Sequence, residues 1–456
     1  MKNVYLIGIG GIGMSALARY YKHEGCSVAG YDHVESPLTK QLEAEGIPIH
    51  YTDNIALIPD LYKSGAANVL VIYTPAVPSS HSELQYYCNN SYRVVKRSAV
   101  LGLIAKQKHT LAVAGTHGKT TTSTLLAHLL TAAGGGCTAF LGGISKNYHT
   151  NLLLSKSENM VVEADEFDRS FLQLFPQAAI ITSADADHLD IYGTDAEIKK
   201  AFAEFASQIK PNGLLVIKKG VAINLPSNKQ AIYRYSYNEP CDFYASNIAP
   251  LENGYFRFNI HTPSGVIADC TLGIPGWINI ENAVAAAALA LSVGVDKHAL
   301  KEALASFAGV ERRFDVQLNT HGITYIDDYA HHPEELKAAL SSIQQMFPGR
   351  NLTAIFQPHL YTRTRDFYKE FAKSLELADE IILLDIYPAR ELPIEGVSSQ
   401  IIYNNIANSN KLLCTKSELL DVIKNKKDID VLVTLGAGDI DRFVKPITAI
   451  LKERIA

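Results

Sequence analysis

The chain has 456 residues, a net charge of −5, 47% hydrophobic and 20% charged residues, which suits roughly two to four globular domains rather than a disordered polymer. No basic surplus points to nucleic acid, and no apolar run approaches the ~18 residues of a membrane span. The six cysteines include no C-x-x-C pair and fit neither a zinc site nor a disulfide framework, so the expectation is a cytoplasmic protein with reduced thiols, no nucleic-acid partner and no membrane partner.

The first predicted strand covers residues 3–9 and is followed by a helix over about 12–24, with Met14, Leu17, Ala18 and Tyr21 on one face and Gly25 as its stop. Between them lies Gly8-x-Gly10-x-x-Gly13, and Asp32 ends the next strand, 27–31. This spacing is the dinucleotide fingerprint, with a diphosphate on the first helix and Asp32 near a ribose or another hydroxyl. It does not single out NAD, because a UDP-sugar carries the same pyrophosphate; an unliganded glycine turn is the plain alternative. Residues 1–18 superficially resemble a signal peptide, but four glycines (8, 10, 11 and 13) break the apolar run. A strand over 68–73 ends in a proline-rich turn at 74–80.

The second block opens on a strand at 110–114 that runs into Gly115-Thr116-His117-Gly118-Lys119-Thr120-Thr121 and then an apolar helix over 118–133. Strand, glycine loop and helix in that order form a phosphate-binding loop. Backbone N–H groups and the helix dipole favour an anion there, Lys119 suits the β/γ-phosphates and the Thr120 hydroxyl suits Mg²⁺. The loop is a short form, because Val113 stands where the longer pattern has glycine. Buried-type strands at 160–164, 178–183 and 213–218 alternate with helices, as in a parallel sheet. Two of them end in acid clusters: Glu163, Asp165, Glu166 and Asp168, then Asp185, Asp187, His188 and Asp190. At the carboxyl edge of an open sheet such groups are candidate Mg²⁺ ligands, although acids at helix starts are also ordinary dipole partners. Residues 231–272 alternate in short runs and predict a small antiparallel meander. An alanine-rich helix is predicted from Asn282 to Val293.

In the third block, strands fit 323–327, 351–356, 380–385 and 429–434. The first ends in Asp327-Asp328-Tyr329-Ala330-His331-His332-Pro333 and the second in Phe356-Gln357-Pro358-His359, followed by Arg363, Arg365 and Asp366. One histidine is more often structural than functional. Two strand ends crowded with His, Arg and Asp suggest a site for a small charged molecule.

These motifs, with Arg312-Arg313-Phe314 and Gly436-Ala437-Gly438-Asp439-Ile440, occur in an order that resembles the Mur ligase family across essentially the whole chain. The resemblance implies an ATP-dependent amide ligase of peptidoglycan synthesis with an α/β fold in three domains. Residues 1–107 would be a Rossmann-like UDP-sugar domain. Residues 108–309 would be a P-loop ATPase-like parallel sheet with the meander, and residues 310–456 a Rossmann-like amino-acid domain. It implies ATP and Mg²⁺ as cofactors, the metal held by Thr120, Glu163 and His188. Asn279 and Asn282 would meet the adenine, and Gly10, Gly11, Gly13, Met14, Ser15 and Asp32 the sugar nucleotide. Tyr329, His331, His359 and Arg363 would form the amino-acid and catalytic pocket. Glycines 10 and 11 with Met14-Ser15 resemble the members that join L-alanine to UDP-N-acetylmuramate rather than the murein-peptide recycling ligases. Two positions depart from the family pattern: Ile278 stands before Asn279 in place of His, and Leu360 follows His359 in place of Arg, leaving Arg363 or Arg365 to supply a cation.

The mechanism follows from charge. A carboxylate is a poor electrophile, so ATP converts it to an acyl phosphate, with Lys119 offsetting charge on the γ-phosphoryl. A neutral amine then attacks, and His359 or His331 takes its proton. An NAD-dependent dehydrogenase would account for the first loop and leave the Lys119 loop unexplained. A non-catalytic nucleotide sensor would account for both loops and leave the third-block histidines without a purpose. Oligomeric state is not legible in the sequence.

Overall fold

The alternation of buried apolar strands with amphipathic helices produces three sheets. The computed structural model describes residues 2–185, 189–225, 230–251, 254–389 and 391–455. The N-terminal sheet contains β1 (Asn3–Ile7), β2 (Ser27–Tyr31), β3 (Ile49–His50), β4 (Val69–Tyr73) and β5 (Arg93–Lys96), all parallel, in the order β3-β2-β1-β4-β5. Strand β1 is buried throughout and ends earlier than expected, because Gly8 turns the chain at φ +84° into the helix Ile12–His23.

The central sheet contains β6 (His109–Ala114), β7 (Thr138–Ser145), β8 (Thr150–Leu153), β9 (Asn159–Ala164), β10 (Ala178–Ile181), β11 (Leu214–Lys218), β12 (Ala231–Ser236), β13 (Phe243–Pro250), β14 (Phe256–Thr262) and β15 (Gly265–Thr271). Their order is β15-β14-β13-β12-β11-β10-β6-β9-β7-β8. The expected meander is part of this same sheet: β12 pairs parallel with β11, and β13 parallel with β12. Alternating residues reveal one-sided burial but not strand direction, so this was invisible in the sequence. At the opposite edge β7 and β8 form an antiparallel hairpin. The alanine-rich helix starts at Trp277 rather than Asn282, immediately after Gly276 turns the chain at φ +96°.

The C-terminal sheet contains β16 (Asp315–Asn319), β17 (Thr324–Asp328), β18 (Leu352–Phe356), β19 (Glu380–Leu384), β20 (Lys411–Cys414) and β21 (Val431–Leu435). The order is β16-β17-β21-β18-β19-β20, with β16 antiparallel at one edge and the rest parallel.

The chain divides into two compact units: Met1–Ile248 with Phe258–Gly273 and Ile280–Ala308, and Ala249–Arg257 with Ile274–Asn279 and Gly309–Ala456. The N-terminal and central sheets therefore share a unit. One apolar cluster runs through both, from Leu17 and Val100 to Phe140 and Phe171. Burying a continuous apolar surface is the main stabilising term, and here it joins residues on both sides of position 107. No helix among the described residues is long and apolar enough to cross a membrane.

Candidate functional site

In the first unit, β6 delivers the chain to Gly115, whose φ of +138° favours glycine and whose absent Cβ would fall 1.9 Å from Thr182 Oγ1. Gly118, at φ +77°, starts the helix Lys119–Ala132. The loop between them is laced to the segment after β10. Thr116 Oγ1 lies 2.8 Å from Ser183 Oγ, the His117 N–H donates to Ser183 Oγ at 2.9 Å, and the Asp185 N–H donates to Thr116 Oγ1 at 3.3 Å. Such bracing fixes the loop before any ligand arrives, which is the preorganisation that charge stabilisation requires.

Lys119 donates to Gly115 O at 2.6 Å and to Glu166 at 2.8 Å. Burial pulls the Lys119 pKa down, but the carboxylates of Glu166, Glu163 and Asp165 outweigh it and hold the ammonium above its ordinary value. The lysine is therefore a fixed cation. Thr120 is buried at the first turn, Thr121 half-buried. Asn282 packs against this helix start and accepts from Thr122 Oγ1 at 3.2 Å. Asn279 donates to Pro275 O at 2.7 Å and stands three residues before Asn282 on the same helix, a spacing that puts the two asparagines on one helix face.

The first acid cluster resolves into separate roles. Asp165 pairs with Arg97 at 3.2 Å, Asp168 with Lys96 at 3.0 Å and Glu166 with Lys119. Glu163 is the penultimate residue of β9, with its carboxylate where a Cβ on Gly142 would sit, 2.1 Å from Oε2. Asp187 and His188 lie outside the described residues. Among the described residues no group of three or more His, Cys, Asp or Glu could hold a metal by itself. The hard oxygen donors of Thr120 and Glu163 suit Mg²⁺, which takes few protein ligands and completes its shell with water and phosphate oxygens.

The glycine loop after β1 leads into a helix whose first turn is packed. Met14 is 1% exposed and belongs to the apolar core. Ser15 is 0% exposed; its hydroxyl donates to Ile12 O at 2.9 Å and accepts from Asn151 Nδ2, also at 2.9 Å. Both side chains fasten the first helix to the central sheet, and an anion at this helix start would meet backbone N–H groups rather than these side chains. They lie on the helix's buried face, a distinction that spacing within a glycine motif does not make. Asp32 accepts from the Gly10 N–H at 2.7 Å and the Val34 N–H at 3.1 Å, so its carboxylate shapes the loop. Gly10 has no room for a Cβ because Thr39 and Asp32 would lie within 2.6 and 2.9 Å of it, and Gly13 has none because of Arg97. Gly11 is exposed.

In the second unit, β17 and β18 run parallel on either side of β21, so their carboxyl ends lie at the same edge of the sheet. Asp327 accepts from Thr434 Oγ1 at 2.7 Å and Arg312 Nε at 3.3 Å. Asp328 accepts the Phe314 and Ala330 N–H groups at 2.6 and 2.7 Å, and burial raises its carboxyl to about 6. Their work is to shape the turn that presents Tyr329 and His331. Arg312 and Arg313 lie over the Tyr329 ring at 5.2 and 4.8 Å. The His331 and His359 rings are 5.7 Å apart, and His359 stacks on Tyr387. Sequence gave no hint of Tyr387, which also fixes the backbone: Leu360 N–H donates to Tyr387 O at 3.0 Å, and Tyr387 N–H to Pro358 O at 2.8 Å. Leu360 is held at φ +73°, a strained position of the kind that collects around functional sites.

Burial, His331 and Arg363 together push His359 down to about 3, and burial lowers His331. Both rings are neutral near pH 7. His359 Nδ1 and Arg363 Nη1 are buried with no hydrogen-bond partner among the described residues, a costly state that a ligand would relieve. Arg365 is exposed and paired with Asp366 at 2.7 Å, which leaves Arg363 as the cation at this strand end.

Three family models cover the chain: the catalytic domain of the Mur ligase family over residues 3–109, the Mur ligase middle domain over 113–290 and the Mur ligase glutamate ligase domain over 312–438. The UDP-N-acetylmuramate–L-alanine ligase of Porphyromonas gingivalis is 52% identical over 455 residues, 99% of each chain. The chain belongs to the Mur ligase family. The enzyme of the same name from Phocaeicola vulgatus is 51% identical over 100% of this chain and 99% of its own. A solved UDP-N-acetylmuramate–alanine ligase from Thermotoga maritima matches with a TM-score of 0.83 at 27% identity, over 99% of both chains. A murein peptide ligase from Psychrobacter arcticus shares the fold, with a TM-score of 0.71 at 24% identity over 99% of both chains.

Proposed function

We propose that this chain joins L-alanine to the lactyl carboxylate of UDP-N-acetylmuramate with cleavage of ATP to ADP and phosphate, in the cytoplasm, as a step of peptidoglycan synthesis. The observation that carries this reading is the likeness at about half identity, along the whole length, to ligases bearing that one name. Among the solved structures, the alanine ligase matches with a TM-score of 0.83 and the full-length murein peptide ligase with 0.71, which favours the alanine-adding reading over the recycling one. Residues 1–107 take the UDP-sugar, 108–309 ATP and 310–456 the amino acid.

The loop Gly115–Thr121 receives the triphosphate, and Lys119, kept charged and in place by Glu166, offsets charge on the γ-phosphoryl as it passes to the carboxylate. Thr120 and Glu163, with His188, would hold Mg²⁺, whose charge screens the phosphates. The acyl phosphate so formed is open to attack by the neutral amine of L-alanine. Arg363 Nη1 takes the amino-acid carboxylate. That anion offsets the charge that depresses His359, so the ring's affinity for a proton rises as substrate binds, and the neutral ring accepts the proton released in amide formation.

The test is phosphate release from ATP with UDP-N-acetylmuramate, crossed against L-alanine, glycine, L-serine and the murein tripeptide. Release that depends on both UDP-N-acetylmuramate and L-alanine, with formation of their amide, is expected. Release that requires the tripeptide instead would replace this reading with the recycling one.

A further inference from the structure

Lys119 belongs to the first unit, and His359 and Arg363 to the second. The path by which the chain passes from one to the other therefore bears on any reaction that needs all three. That path is held on its near side. Ala308 ends the first unit and Gly309 begins the second. Asn147, in the turn between β7 and β8, donates from Nδ2 to Ser306 O at 2.8 Å and accepts at Oδ1 from the Ala308 N–H at 2.8 Å. Its side-chain amide stands where a peptide group of a parallel neighbouring strand would bridge these two positions. Phe307 between them is fully buried, with its ring 5.6 Å from that of His128. His128 lies on the helix Lys119–Ala132, and its Nε2 is 3.0 Å from both Ala303 O and Ser306 Oγ. A carbonyl only accepts, so Nε2 carries the ring's proton and Nδ1 accepts from the Tyr148 hydroxyl at 3.0 Å. The Gly273 N–H, at the end of another segment of the first unit, donates to Leu304 O at 3.0 Å.

Beyond Ala308 comes a permissive residue and then a second anchor. Gly309 stands at φ +92°, a conformation that favours glycine. Only Val310 and Glu311 separate it from Arg312. Arg312 O accepts the Tyr329 N–H at 2.7 Å, and Arg312 Nε donates to Asp327 at 3.3 Å, so the chain is tied at once to the turn that presents Tyr329 and His331. We propose that Asn147 is a positioning residue for the amine step: by clasping Ser306 and Ala308 it sets the direction in which the chain leaves the first unit, with Gly309 as the pivot. The inference rests on the ligase reading above and adds a residue to it. Each bond of the clasp contributes only modestly to stability. Its effect on geometry is larger, because an error of direction at the exit is carried forward to the histidines. A misplacement of about 1 Å between reacting groups can cost about 10²-fold in rate. An exit free to swing would also leave the productive orientation a smaller fraction of the population.

The experiment takes two readouts from wild type, Asn147→Ala and Asn147→Asp, each checked for a cooperative melt. The first is positional exchange of ¹⁸O in bridge-labelled ATP with UDP-N-acetylmuramate and no L-alanine. The second is ligation at saturating ATP, UDP-N-acetylmuramate and L-alanine. Asn147→Asp keeps the shape of the side chain and loses the donor to Ser306 O. In both variants ligation should fall about tenfold, within the range for misplaced reacting groups, while exchange stays at the wild-type rate. A general loosening of the first unit would not produce that split. Exchange lost in step with ligation would make Asn147 part of the first unit's framework and overturn the proposal, as would unchanged ligation in both variants. If the melts show that Asn147→Ala does not fold, Asn147→Asp alone decides by the same outcomes. A wild type that neither exchanges nor ligates would overturn the ligase reading itself and this assignment with it.

Discussion

Lys119 and His359 each stand at the carboxyl end of a parallel sheet, yet their surroundings differ. Lys119 is occupied on both sides, by Gly115 O and by Glu166, and its loop is tied to Thr182 and Ser183. His359 and Arg363 each keep a buried polar atom without a partner among the described residues, and Leu360 between them is strained. The first site holds its lysine between fixed partners and, on the proposed reading, receives a ligand made largely of phosphate. The second holds unmet hydrogen-bonding demand that a zwitterionic amino acid can satisfy. The difference suggests where each kind of precision comes from: from the scaffold for phosphoryl transfer, and from the substrate for the amine step.

The largest expected effect lies at Lys119. Lys119→Ala should lower turnover at saturating ATP by about 10²-fold or more, the scale for loss of one preorganised charge stabiliser. It should also destabilise the fold by about 3–5 kcal/mol, because Glu166 is left buried and uncompensated. The double variant Lys119→Met with Glu166→Gln should regain the melting temperature and not the turnover. A single variant with near-normal turnover would remove Lys119 from the chemistry.

Next comes the first glycine loop. Gly10→Ala would place a Cβ 2.6 Å from Thr39 and 2.9 Å from Asp32, forcing apart the contact that shapes the loop. Titrations should show UDP-sugar affinity down by about tenfold with ATP affinity unchanged. Equal weakening of both ligands would contradict the assignment of each nucleotide to its own loop.

The histidine pocket predicts a smaller effect with a definite sign. His359 is neutral in the folded chain down to about pH 3, whereas the ordinary imidazole titrates at 6.5. Between those values the unfolded state binds the extra proton. The pocket's contribution is therefore present above about pH 6.5 and is lost as pH falls toward 3. His359→Asn should lose less melting temperature between pH 7 and pH 5 than wild type does. An identical decline in both would show that the ring is not held neutral. Leu360→Gly should have the smallest effect. It relieves a strain on the order of 1 kcal/mol and raises the melting temperature slightly, while KM for L-alanine worsens because the neighbouring His359 is less firmly held. An unchanged KM would detach the strain from the site.

What could be read in advance followed the reach of local physics. The Gly115–Thr121 loop was legible because its strand, turn and helix are contiguous, and so were the main strands of all three sheets, whose apolar runs are long enough to be buried. The Lys119–Glu166 pair was only half visible: the acids appeared as a cluster, but which of them meets the lysine depends on how β6 and β9 lie side by side. The burial of the Met14 and Ser15 side chains was not legible, because a glycine motif marks where a ligand's phosphate lies and not which helix face is buried. Tyr387 stood 28 residues beyond His359 in sequence with no motif of its own, and only the pairing of the two backbones reveals it. The parallel join of β12 to β11 lay outside what alternation can encode.

The division of labour between the two sites can be tested in one experiment. His359→Ala would be incubated with UDP-N-acetylmuramate and ATP labelled with ¹⁸O at the β,γ-bridge, without L-alanine, and positional exchange of the label followed by ³¹P NMR. Exchange should continue at close to the wild-type rate, while net ligation on adding L-alanine falls by orders of magnitude. Exchange lost in step with ligation would place His359 in phosphoryl transfer and contradict the separation of the two sites.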